Sequence, residues 1–140
     1  MQLHHAKFIV RAAAVVAFGV SLYLLGFLGL WIYESVAFRS NSPRFLRELL
    51  VYGLFAIVPC MFIWASVQAW RFIPKGILSI YSGYLLFGFM GSFVTLFHLI
   101  FSRAWSHTAQ DALGAVISLS MFAIGVLVAS QEGRFKKDAA

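Results

Sequence analysis

The sequence predicts an all-α integral membrane protein, a four-helix transmembrane bundle that forms a single domain over residues 1–140. Two observations predict this fold class, and the first is composition. The chain is 61% hydrophobic and only 11% charged, against about 25% charged residues in ordinary soluble domains. A soluble domain of this length leaves too much surface exposed to hide so many apolar side chains.

The second observation is the placement of charge. All Asp, Glu, Lys and Arg residues fall in five short stretches, and the four runs between them are free of charge. The runs are Ala12–Tyr33, Leu49–Trp70, Gly76–Ser102 and Ala112–Gln131. Each can cross a hydrocarbon core about 30 Å thick, which needs about 20 helical residues. We therefore expect helices at approximately 9–34, 43–71, 75–102 and 108–132.

Local signals refine the ends of these helices. Ser42 followed by Pro43 is typical of an N-cap and first helical position, so it predicts the start of the second helix. Pro74 predicts the start of the third, and the segment Thr108–Asp111 resembles a capping box before the fourth. Gly133 predicts the end of that helix.

The basic residues predict the orientation of the bundle. Four spans place both termini on one side, and that side would hold seven basic residues: Lys7, Arg11, Arg71, Lys75, Arg134, Lys136 and Lys137. The other side would hold four: Arg39, Arg44, Arg47 and Arg103. The positive-inside rule then predicts cytoplasmic N- and C-termini. The compact build favours the cytoplasmic (inner) membrane of a bacterium, with the first run as an uncleaved helix.

The two halves of the chain resemble each other. The segment Ser21–Gly29 compares with Ser82–Gly91, given one insertion, and Met61-Phe62 compares with Met121-Phe122. One explanation is a tandem duplication of a helical hairpin, which predicts parallel repeats with the first and third helices in equivalent places. The other is chance, because Leu, Phe and Gly are common in all membrane helices.

Small residues mark the expected contacts between helices. Lipid provides no hydrophobic drive for helix association, so close packing through small side chains takes its place. The candidate helix-packing residues recur on one face of their helices: Gly19, Gly26, Gly88, Gly91, Gly114, Ser118 and Gly125.

A candidate functional polar stripe follows the same periodicity on the third helix. It holds Tyr84, Thr95 and His98, and His98 is the one Asp, Glu, Lys, Arg or His side chain inside a charge-free run. Ionisable groups at such depth often mark function. We expect Glu34, at the end of the first helix, to approach His98. The alternative is that the stripe only packs helices together.

Other chemical sites lack support in the sequence. A single Cys60 forms no internal disulfide or cysteine-rich metal site, and the adjacent His4 and His5 lack the spacing of metal ligands. No catalytic motif is found. We expect no cofactor, no metal and no nucleic-acid partner. The expected partners are membrane lipids and another membrane protein or a second copy of the chain.

Three functions fit these observations. The first is non-enzymatic: helix-mediated interaction as an accessory, assembly or immunity-type subunit, which the small-residue stripes favour. The second is an oligomeric small-solute transporter or channel, which the apparent repeat and the His98 stripe favour. The third is a membrane-embedded lipid-modifying enzyme that uses Arg103, His107 and Asp111, although a loop and a helix cap explain those residues better.

Overall fold

The computed structural model describes residues 2–101 and 108–139, and these residues form four consecutive helices. The helices are α1 (Gln2–Arg39), α2 (Phe45–Trp70), α3 (Pro74–Phe101) and α4 (Thr108–Ala139). Each is long and apolar enough to cross a membrane. The predicted fold class, a four-helix transmembrane bundle, is thereby confirmed.

The helices differ from the expected bounds mainly at the ends of α1 and α4. Both continue beyond the apolar run, because a helix does not need to stop where the hydrocarbon ends. Gly133 does not end α4, since a glycine stops a helix by adopting a positive φ angle and no described glycine does so. The predicted start at Pro74 is confirmed.

The start of α2 lies later than the sequence suggests. The Ser42 side chain does accept a hydrogen bond, from the backbone N–H of Arg44 at 3.3 Å, but this bond closes a turn and does not cap the helix. The regular helix begins at Phe45, and its N-cap residue Arg44 provides no side-chain bond. The segment from Ser42 is therefore a turn that leads into α2. The side chain of Thr108, which carries the predicted capping box, lies outside the described residues.

The four helices pack in ring order. The most extensive contacts join α3 to α4 and α1 to α2, and smaller contacts join α2 to α3 and α1 to α4. The diagonal pair α1 and α3 barely touches, and α2 and α4 do not touch within the described residues. The bundle is therefore two antiparallel hairpins, each tightly packed within itself, that meet along a weaker interface.

A cluster of buried residues lies near one end of the bundle. That end carries residues 2–11, 70–75 and 131–139, and we call it the termini end. The cluster combines residues from all four helices: Val10, Ala13, Ala14, Ala17, Ala65, Ala69, Ile77, Ile80, Tyr84 and Val128. The two hairpins are thus held together mainly at the termini end.

The buried face of α1 is made mainly of alanines and contains no glycine. Ala6, Val10, Ala13, Ala17 and Ser21 are all buried and recur at spacings of four, three, four and four residues. This period keeps one narrow stripe of the helix toward its neighbours. The Ser21 hydroxyl donates to the Ala17 carbonyl at 2.7 Å, so its polar group is satisfied inside the membrane.

The residues aligned by the apparent repeat lie in different environments. Tyr23 is 72% exposed, whereas its counterpart Tyr84 is 4% exposed. Ser21 is buried, whereas Ser82 is exposed. The chain therefore has two hairpins, but the aligned positions of the first and third helices are not equivalent in their packing.

The turn between α2 and α3 has an unusual residue at its centre. The Phe72 N–H donates to the Ala69 carbonyl, and the Ile73 N–H donates to the Gln68 carbonyl at 3.0 Å. This pair of bonds is the Schellman motif that often ends helices. Its central residue normally is glycine, because the backbone is left-handed there, yet Phe72 has φ 59°. A side chain in this conformation costs about 1–2 kcal/mol.

Candidate functional site

The structure brings four of the predicted packing glycines to the seam between α3 and α4. A Cβ atom added to Gly88 would lie 2.5 Å from the backbone nitrogen of Phe122 and 2.8 Å from its Cα. Further along the seam, Gly91 faces the Ser118 hydroxyl. Only a hydrogen at these positions allows the two backbones to approach so closely.

The seam continues with the glycines of α4. A Cβ on Gly125 would lie 2.9 Å from the Leu85 nitrogen, and one on Gly114 would lie 2.9 Å from the Thr95 methyl carbon. Along the seam the residue numbers increase on α3 and decrease on α4, as an antiparallel pair of helices requires. The seam extends along α3 from Leu85 to Thr95, roughly 15 Å at 1.5 Å per residue.

The structure places Gly19 and Gly26 on the outside of the bundle, away from any seam. A Cβ added to either residue would have no other atom within 4 Å among the described residues. The expectation that they pack against another helix of this chain is therefore not met. They lie on the side of α1 opposite the buried stripe of Ala13 and Ala17. The alanines of α1, and not its glycines, lie in the buried cluster with Ala65 and Ala69 of α2.

The polar residues Tyr84 and Thr95 are satisfied by backbone groups. The buried Tyr84 hydroxyl donates to the carbonyl of Ala13 at 2.9 Å, and it thereby links the diagonal helices α3 and α1. The Thr95 hydroxyl donates to the Gly91 carbonyl of its own helix at 2.7 Å. Both hydroxyls act as structural donors in this arrangement.

His98 and Glu34 form no direct contact of the kind that would link them in one site, within the described residues. Both side chains are exposed on the surface of the bundle, and no hydrogen bond or ion pair joins them in the part of the chain that the structure describes. The four residues of the candidate polar stripe therefore do not share one interior surface. Tyr84 is buried, Thr95 is half-buried at the α3–α4 seam, and the other two face outward.

The structure assembles a cluster at the termini end that the sequence did not reveal. The ring of Phe72 stacks on that of Phe135 from α4, with centroids 5.7 Å apart. The Lys7 ammonium lies 5.6 Å from the centroid of the Phe72 ring, and the Arg11 guanidinium lies 4.9 Å from it. Arg11 also lies 5.0 Å from the Trp70 ring. These distances are typical of cation–π contacts.

A hydrogen bond between α3 and α4 lies near the same end. The Tyr81 hydroxyl donates to Oε2 of Glu132 at 2.8 Å. One signal in the sequence hints at this region: Pro74 disfavours helical geometry at Ile73, so α2 must end before it. The sequence does not indicate which residue adopts the left-handed conformation. Nor does it indicate which rings and cations contact that residue, because these contacts depend on how four distant segments meet.

The remaining chemistry is sparse within residues 2–101 and 108–139. No group of three His, Cys, Asp or Glu side chains there lies close enough to hold a metal ion. Cys60 is exposed on the side of α2. Comparison of the chain with protein-family models, with curated proteins and with solved structures finds no match.

Proposed function

We propose that this chain is a multi-pass membrane protein that acts by helix-mediated interaction, as a non-enzymatic accessory or assembly subunit of another membrane protein. The observation that supports the proposal is the outward face of α1. Gly19 and Gly26 lie there with open space above them, and Tyr23 and Tyr33 on the same face are 72% and 67% exposed.

The physical argument concerns what such a face does in lipid. A larger apolar side chain makes more contact with lipid chains than glycine does. Glycine in a helix is also less stable than alanine by about 0.5–1 kcal/mol. Its advantage is close approach of a second backbone. The spacing of Gly19, Tyr23 and Gly26 keeps all three on one side of α1. A partner helix could therefore lie flat against this surface.

The Tyr23 hydroxyl adds a polar requirement. It lies near the middle of the apolar run Ala12–Tyr33 and has no hydrogen-bond partner among the described residues. A hydroxyl left unpaired in hydrocarbon costs free energy. A partner helix that offers a carbonyl or hydroxyl oxygen opposite Tyr23 would satisfy it. This requirement favours a protein partner over lipid chains at this face.

We further propose that both termini are cytoplasmic and that the host membrane is a bacterial inner membrane. The termini end carries more basic residues than the opposite end, as the positive-inside rule requires of the cytoplasmic side. In a Cys60→Ser background, an impermeant maleimide added to intact cells should label Asn41→Cys and should not label Lys75→Cys. The reverse pattern would invert the orientation.

Site-specific crosslinking tests the interaction face. A photo-reactive amino acid placed at Tyr23 should join the chain to one defined membrane protein in living cells. Gly26→Leu should abolish that product, because the leucine fills the space that the partner backbone would occupy, while the chain itself stays folded.

The matched control is Gly53→Leu. Gly53 on α2 also has nothing within 4 Å of an added Cβ, so the same substitution there should leave the crosslink intact. Crosslinks to lipid alone, or a product that Gly26→Leu does not change, would contradict the proposal. A product of two copies of this chain would favour self-association, and with it the oligomeric alternative.

A further inference from the structure

A groove on the surface of the bundle runs between α1 and α2 at the termini end. Its volume is about 330 Å³. The small buried residues Ala14 and Ser66 lie at its base, and the larger, exposed Phe18 and Trp70 form its sides. Arg71 lines the groove at the membrane boundary. The groove is therefore apolar along its length and basic where it ends.

Two more cations lie beside that end. The Arg11 guanidinium lies 5.0 Å from the Trp70 ring centroid and 4.9 Å from the Phe72 ring centroid, and these two rings flank Arg71 in sequence. The Lys7 ammonium contacts Phe72 as well, at 5.6 Å from its centroid. Three positive charges thus gather around one short segment of α2 and its turn.

These cations have no acidic partner in the described part of the chain. No described carboxylate lies within 4.0 Å of Lys7, Arg11 or Arg71. At the opposite end of the bundle the situation differs, because Arg39 lies 3.9 Å from Glu48. A second groove there is lined by arginines too, but Glu48 also lines it. An anion is therefore favoured more strongly at the termini end.

The depth of the basic residues matches that of lipid phosphates. Arg11 directly precedes the charge-free run Ala12–Tyr33, and Arg71 directly follows the run Leu49–Trp70. Both guanidinium groups therefore lie at the boundary between hydrocarbon and headgroups. Basic pockets between transmembrane helices at this level favour anionic headgroups.

We propose that this groove is a binding site for one anionic phospholipid. Arg11 and Arg71 hold the phosphate, with Lys7 beside them. The part of one acyl chain nearest the headgroup lies between Phe18 and Trp70. Guanidinium groups suit the task, because their planar donors can bind two phosphate oxygens at once. None of Gly19, Tyr23 and Gly26 lines this groove, so the lipid site can be tested separately from the interaction proposed above.

Lipid retention by the purified chain tests the proposal. The full-length protein in a neutral detergent is mixed with phosphatidylglycerol or phosphatidylcholine, and bound lipid is counted by native mass spectrometry. We expect one phosphatidylglycerol to be retained in preference to phosphatidylcholine. Arg11→Gln and Arg71→Gln should each weaken retention roughly fivefold, as expected for one basic residue at the membrane surface.

Matched variants distinguish lipid binding in the groove from attraction by the overall positive charge. Arg134→Gln removes the same charge at the same end from an exposed side chain on α4, and it should leave retention unchanged. Val67 on α2 also lines the groove. Val67→Trp fills the groove while all three cations remain, and it should lower retention. The same substitution at exposed Val94 on α3 should not.

Three results would overturn the proposal. The first is equal retention of the two lipids by the unmodified chain. The second is an equal loss of phosphatidylglycerol in Arg134→Gln and Arg11→Gln, which would show attraction by overall charge alone. The third is displacement of the lipid by millimolar inorganic phosphate, which would show that the cations bind a free anion and that the groove contributes nothing.

Discussion

Gly88→Ala is expected to destabilise the bundle by about 3 kcal/mol, the upper part of the range for overpacked interiors. The added methyl group would lie 2.5 Å from the Phe122 nitrogen and 2.8 Å from its Cα. Backbone atoms cannot rotate aside as a side chain can, so α3 and α4 must separate along the seam. Unfolding by sodium dodecyl sulfate in dodecyl maltoside micelles, followed by tryptophan fluorescence, should shift to a lower detergent fraction.

The matched control for this substitution is Gly26→Ala. The new methyl group there meets no other atom within 4 Å, and alanine is the better helix former by about 1 kcal/mol. We therefore expect the control to be as stable as the original chain or slightly more stable. Equal destabilisation by the two substitutions would show that the close approach of α3 to α4 is incorrect.

Tyr84→Ala should have an effect of similar size, about 3 kcal/mol. This side chain is 4% exposed, and its hydroxyl donates to the Ala13 carbonyl on the diagonal helix. Removal of a buried aromatic ring from a core costs about 3–5 kcal/mol. The low end applies here, because a membrane protein gains no free energy from the transfer of the ring out of water.

Two further variants divide that loss into its parts. Tyr84→Phe keeps the ring and loses only the hydrogen bond, so it should cost about 0.6–1 kcal/mol. Tyr23→Ala truncates a tyrosine that is 72% exposed and should leave unfolding by dodecyl sulfate nearly unchanged. A cost for Tyr84→Ala no larger than that for Tyr23→Ala would contradict the packing of Tyr84 in the core.

The transmembrane helices could be predicted from the sequence because one physical rule decides them. Charged side chains are excluded from hydrocarbon, so the gaps between charges locate the spans directly. Helix ends beyond the hydrocarbon do not obey that rule. This is why α1 and α4 extend past their apolar runs, and why Ser42 leads into a turn.

The packing seams were harder to predict because a stripe of glycines can face either another helix of the bundle or its surroundings. On α3 the stripe through Gly88 and Gly91 faces α4. On α1 the stripe through Gly19 and Gly26 faces away from the bundle, and alanines are buried instead. Periodicity shows which residues share a face, but the direction of that face depends on the other helices.

The termini-end cluster could not be predicted, since its central residue breaks a local preference. A left-handed backbone position usually calls for glycine, and nothing near Phe72 suggests that a phenylalanine would occupy it. The contacts of its ring come from residues more than 60 positions away on either side, Lys7 and Arg11 before it and Phe135 after it. Such contacts depend on the whole fold.

The position of Phe135 sets the order in which this cluster can be completed. Phe135 lies in the second half of α4 (Thr108–Ala139), far beyond Phe72 in the chain. A ribosome must therefore make all of α3 and most of α4 before the ring of Phe72 can stack on that of Phe135. Until that moment the bend that joins α2 to α3 lacks one of the contacts that offset its backbone cost. The bend between α2 and α3 thus reaches its final form only after α4 has been made.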